Sequence, residues 1–127
     1  MRDFYFFTNK KIVAKECFGP LQKEIKYIEM NGEDDIWINA KSKSFFWSSN
    51  DRVSDCFDWE IEEFESRIPI ENPYIAHFET HRSIDAKRFI KVLMQIYPEL
   101  YINVDDSTNW FGTAQEYLDS EFDYYRL

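Results

Sequence analysis

His77, Glu79 and His81 are the constellation in this chain with metal-ligand character. Alternate residues of a β-strand point to one face. A strand through this stretch therefore gathers two imidazoles and a carboxylate, a donor set that suits zinc or iron. The spacing differs from the helical His-Glu pattern of metalloproteases. If the strand stops before His81, that ring points elsewhere and the residues are an exposed sheet face beside a helix start. Asp105 and Asp106 follow a predicted strand, and paired carboxylates there can hold magnesium or share a proton. No third acid or lysine at nuclease-like spacing accompanies them, so a solvated turn is the preferred reading. Cys17 and Cys56 have no His beside them in sequence. A nucleophilic thiol needs a base or helix terminus to lower its pKa, so both read as reduced, buried, structural thiols. Glycine occurs only at 19, 32 and 112, which excludes a Gly-rich phosphate loop. No cofactor is expected.

What remains is surface. Residues 51–65 carry seven acids and one base, and residues 99–127 again carry seven acids and one base. These two blocks hold all of the excess negative charge, since the rest of the chain is slightly basic and the net charge is −9. Such a field repels nucleic-acid backbones and steers in a basic protein. Both blocks also carry rings, and Trp and Tyr are over-represented among the residues that anchor interfaces. The candidate partner-binding residues are Asp55, Asp58, Trp59, Glu60, Glu62 and Glu63 in the first block, and Asp105, Asp106, Trp110, Glu116 and Asp119 in the second. Carboxylates around exposed rings pair with Lys and Arg of a partner. The plainer alternative is that these blocks are solvated faces that keep the protein soluble.

Positioning these residues requires a scaffold. Phe4–Phe7 and Ile12–Phe18 read as an opening hairpin that ends at Gly19-Pro20. Ile25–Met30 reads as a strand, although Leu21, Ile25 and Ile28 also fit a helical stripe. Asn31-Gly32 is a strong hairpin-turn signal because both residues tolerate positive φ. Ile36–Ala40 returns, and Ser44–Ser48 follows a Lys-Ser-Lys turn. Phe57, Ile61, Phe64 and Ile68 suggest a short helix stopped before Pro69. Tyr74–Thr80 is a strand. Ile84–Tyr97 is a helix capped by Ser83, with one apolar stripe, and Pro98 ends it. Leu100–Val104 is a strand, and Thr113-Ala114-Gln115-Glu116 is a capping box opening a last helix. The expectation is one α+β domain over 1–127, with an N-terminal antiparallel meander (about 3–48) and a C-terminal β-α-β-α unit (about 74–122). A mixed, mainly antiparallel sheet with two or three helices on one face follows.

Aromatic residues are 19% of the chain and hydrophobic residues 44%, which is enough to order a core without disulfide or metal staples. No apolar run approaches bilayer length and no signal segment opens the chain. The expected location is the cytoplasm, with no membrane and no direct nucleic-acid contact.

The order strand, helix, strand ending in Asp105-Asp106, then Trp110-Phe111-Gly112-Thr113 leading into Glu116-Tyr117-Leu118, resembles small bacterial immunity proteins of contact-dependent and polymorphic toxin systems. The resemblance covers residues 74–120. It implies a small, acidic, single-domain cytoplasmic protein that is not an enzyme. Such a protein binds a cognate toxin domain, often a basic nuclease, and occludes its active site. No site residue transfers by motif. Three other classes stand beside it. One is a phage-type acidic nucleic-acid mimic that blocks restriction or CRISPR enzymes. The second is a small metal-dependent enzyme using His77, Glu79 and His81, or Asp105 and Asp106. The third is a structural subunit of a larger assembly.

Overall fold

The computed structural model describes residues 2–38, 44–52, 67–80, 83–105 and 110–120. Among them, seven strands form one sheet: β1 (Arg2–Thr8), β2 (Ile28–Asn31), β3 (Asp35–Ile38), β4 (Ser44–Arg52), β5 (Tyr74–Thr80), β6 (Leu100–Asp105) and β7 (Trp110–Thr113). Three helices accompany them: α1 (Ala14–Glu24), α2 (Ser83–Ile96) and α3 (Ala114–Asp119). The sheet order is β2-β3-β4-β5-β1-β6-β7. The chain is an α+β fold with its helices on one face of the sheet.

The aromatic run Phe4-Tyr5-Phe6-Phe7 explains the topology. Phe4 and Phe6 are buried on one face and Phe7 on the other. A strand that is apolar on both sides belongs in the middle of a sheet. β1 accordingly lies between β5 and β6 and is antiparallel to both. The expected β-α-β unit is present as β5-α2-β6, but β1 splits it. The expected mixed sheet is therefore antiparallel in every described pairing.

The expected opening hairpin does not form, because residues 14–24 are helix α1. Ala14, Cys17 and Leu21 are buried at helical spacing, while Gly19 and Pro20 are exposed within the helix. Pro20 removes the bond its N–H would give to the carbonyl of Glu16. Burial of the stripe outweighs that local loss. The helix start has no side-chain cap of its own. Instead the Val13 N–H donates to the Tyr97 hydroxyl at 2.9 Å, tying α1 to the end of α2. Burial, weakly offset by the Tyr97 hydroxyl, pushes the Cys17 thiol up to about 12. That thiol is inert packing. Ile25 ends α1, so the strand expected from Ile25 begins at Ile28. Gly32 turns the β2–β3 hairpin at φ +78.

Phe6, Phe46 and Phe78 of the sheet meet Phe89 of α2, with the Phe78 and Phe89 ring centroids 4.6 Å apart, and Phe4 packs against Phe78. Tyr117 of α3 closes one end, edge-on to Phe4 at 5.8 Å. Both bonds of the expected capping box are made: Glu116 N–H to Thr113 Oγ1 at 3.1 Å, and Thr113 N–H to Glu116 Oε1 at 3.0 Å. On the opposite face a smaller cluster of Phe7, Ile68 and Ile75 covers one end of the sheet. The helix expected from Phe57 to Ile68 lies, but for its last two residues, outside the described residues, as does the turn at 41–43. No helix among the described residues is long and apolar enough to cross a membrane.

Candidate functional site

The helices cover one face of the sheet. Strict alternation sends a second set of side chains to the other. Register fixes their neighbours. Across one row stand Glu29, Trp37, Phe45, Glu79, Asp3 and Asp105. Across the next stand Asn31, Asp35, Trp47, His77, Tyr5, Asn103 and Phe111.

Five of these side chains touch in series. Trp37 stacks on Phe45 at 5.5 Å, and Phe45 on Trp47 at 4.7 Å. Trp47 meets the His77 ring edge-on at 4.0 Å, and His77 stacks on Tyr5 at 4.8 Å. The row crosses four strands, from β3 to β1. Trp37 is 36% exposed, and Phe45, Trp47, His77 and Tyr5 are half-buried. Offset and edge-on ring pairs of this kind hold each other's orientation. The result is a firm, half-wetted aromatic surface.

Carboxylates stand at both ends. Asp3 lies opposite Glu79 on one side and Asp105 on the other, so three acids sit side by side on β5, β1 and β6. Like charges directly opposite on neighbouring strands oppose each other. The effect is visible in Glu79: burial first, then the hydrogen bond and charge of Asp3, push its carboxyl above the ordinary range. Asp35 at the far end is raised by burial and by neighbouring Asp34. His77 Nε2 lies 2.9 Å from Asp3 Oδ1. A carboxylate only accepts, so Nε2 carries the proton. Burial pulls the His77 pKa down more than the Asp3 hydrogen bond and the charges of Asp3 and Asp105 pull it up. The ring is therefore neutral at pH 7. One ligand atom each from Asp3, His77 and Glu79 all lie within 4.8 Å of one another, close enough for one cation to reach all three.

The structure distributes the sequence candidates unevenly. His77 and Glu79 do share a face, as the strand spacing requires. Their third partner among the described residues is Asp3, seventy-four residues before His77, and His81 lies outside those residues. Asp105 is exposed on the same face at the end of β6. Trp110 is on the helix side, half-buried and edge-on to Tyr117 at 5.4 Å. Its ring lies over Gly112, where an added Cβ would come within 2.8 Å of the indole. Glu116 and Asp119 are exposed on α3. Glu116 serves the capping box, and Asp119 accepts from Gln115 Nε2 at 2.9 Å. Asp105 and the trio Trp110, Glu116 and Asp119 thus occupy opposite sides of the sheet. Asp55, Asp58, Trp59, Glu60, Glu62, Glu63 and Asp106 lie outside the described residues. Sequence reasoning missed Asp3, Tyr5, Trp37, Phe45 and Trp47. Their signal was alternation: Asp3 and Tyr5 alternate with Phe4 and Phe6, Trp37 lies between Ile36 and Ile38, and Phe45 and Trp47 flank Phe46.

No protein family, curated protein or solved structure matches this chain.

Proposed function

We propose that the protein is a cytoplasmic immunity protein, not an enzyme, which neutralises a cationic, nuclease-type toxin domain by covering its active site. The observation that carries this reading is the half-exposed row Trp37–Phe45–Trp47–His77–Tyr5, flanked by Asp3, Glu79 and Asp105 on the face the helices leave free. Large rings anchor an interface with little loss of side-chain entropy. Carboxylates beside them accept Lys or Arg from the partner and raise the encounter rate. The net charge of −9 supplies the long-range attraction. The nucleic-acid-mimic reading draws no support from the described residues. Asp3, Glu79 and Asp105 form one tight cluster on adjacent strands rather than a path that could follow a phosphate backbone.

The test is co-expression with candidate cationic nuclease-type domains from neighbouring genes, followed by purification in buffer containing EDTA. The expected result is protection of the host cell and a 1:1 complex on gel filtration that loosens as salt is raised. Trp37→Ala and Trp47→Ala then abolish protection. A toxin that stays active with the protein in excess, or a complex indifferent to both substitutions, refutes the reading.

A further inference from the structure

The Asp3–His77–Glu79 cluster carries an inference that does not rest on the partner reading. We propose that these three side chains bind a divalent transition-metal ion of the zinc class.

Geometry is the first argument. A tetrahedral ion with bonds of ~2.1 Å holds its donor atoms about 3.4 Å apart. The His77–Asp3 pair is at 2.9 Å and all three donor atoms lie within 4.8 Å of one another, so only side-chain adjustments separate the cluster from a coordination shell. The second argument is placement. Asp3 and Glu79 are cross-strand partners, and His77 and Glu79 stand two apart on β5. All three therefore project from central strands of one sheet, with backbones fixed by ladders on both sides. Sites built on such elements are better held than sites built on loops. The third argument is orientation. The His77 ring is clamped between Tyr5 and Trp47, which sets its plane before any ion arrives.

The donor chemistry selects the ion. One imidazole nitrogen and two carboxylate oxygens form a mixed set. Magnesium and calcium prefer all-oxygen shells, and thiolate-seeking ions want sulfur. Zinc, iron(II) and cobalt(II) accept this mixture. Binding at Nε2 requires the neutral ring to adopt its Nδ1–H tautomer, so the imidazole keeps its one proton, and it places two positive charges between two negative ones. Three protein ligands leave at least one coordination position open to water or to an outside group.

The experiment uses untagged, metal-stripped protein and zinc alone as the probe. Calorimetric titration is expected to show saturable 1:1 binding with a Kd of about 1 µM or tighter. Asp3→Asn, Glu79→Gln and His77→Gln should each weaken it tenfold or more while circular dichroism stays unchanged. Cobalt(II) supplies a second readout. Because Trp47 is in contact with His77, cobalt should quench tryptophan fluorescence, and Trp47→Phe should remove most of that quenching. No saturable heat overturns the proposal. So does zinc binding that survives all three substitutions, which would place the ion elsewhere, for example on Cys56. Failure here leaves the partner test untouched, since that test is run in EDTA.

Discussion

Phe78 and His77 are consecutive residues of β5 and occupy different environments. Phe78 is fully buried among Phe4, Phe6 and Phe89 beneath α2. His77 faces the other way, half-buried, against Tyr5, Trp47 and the carboxylate of Asp3. The contrast extends along neighbouring strands: Phe46 against Phe45 and Trp47, Ile36 and Ile38 against Trp37. One face is hydrocarbon packed on hydrocarbon. The other mixes rings with acids and remains partly wet. Burial drives folding, so most of the stability resides on the helix side. The second face is then free to hold side chains that are poor for stability and useful for binding.

The sharpest way to break this comparison is to truncate one ring on each face. Phe78→Ala removes a fully buried ring, and such losses cost about 3–5 kcal/mol. Trp37→Ala removes a larger but partly exposed ring held mainly by its stack on Phe45, and should cost about 1 kcal/mol. Urea midpoints for both variants decide the matter. If Trp37→Ala destabilises as much as Phe78→Ala, the second face is a second core and its role in recognition falls.

The helix face can be probed more finely at Gly112 and Thr113. An added Cβ at Gly112 meets the Trp110 ring at 2.8 Å. Gly112→Ala must therefore displace the indole or shift β7, at about 1–3 kcal/mol. A red-shifted tryptophan emission would report the indole moving toward water. Thr113→Ala deletes one arm of the capping box at the start of α3 and should cost about 1 kcal/mol. Neither substitution touches the aromatic row, so neither should alter partner or zinc affinity. A change in either affinity would mean that the two faces are coupled through the sheet.

Most of the elements were legible from local pattern. Tyr74–Thr80, the stripe of α2, the strand from Leu100 and the capping box were each written within a few residues. Strand β7 (Trp110–Thr113) was not, and two larger losses stand beside it. Helix α1 spans a Gly-Pro pair, because burial of Ala14, Cys17 and Leu21 overrides a local breaker signal; tertiary packing decides such a segment, not its propensity. The site was the second loss. His77 and Glu79 were identified by strand spacing, but Asp3 reaches them only because β1 inserts between β5 and β6. That insertion is a long-range pairing that no window of sequence contains. The charge blocks misled for a related reason. Counting acids along the chain put Asp105 with Glu116 and Asp119, and the sheet separates them.

The smallest effect is also the most specific to the second face. Glu79 has its pKa raised in the folded protein, by burial first and then by Asp3. A raised pKa means that the folded state holds the proton more tightly than the unfolded chain. The stabilisation this gives is complete below the ordinary value of 4.5 and is lost as pH climbs through the raised one. At pH 7 the ionised Glu79 opposes folding. Glu79→Gln removes that opposition, so in EDTA-containing buffer the variant should be slightly more stable than the parent at pH 7 and match it near pH 4. His77 works in the other direction, since its lowered pKa gives stability that is lost as pH falls below 6.5. It is present in both proteins, however, and cancels in the difference. Paired urea titrations at the two pH values measure that difference directly. A gap that is larger at pH 4 than at pH 7 would mean that Glu79 is better accommodated as an anion than as an acid, and the crowding of Asp3, Glu79 and Asp105 would no longer describe this end of the face.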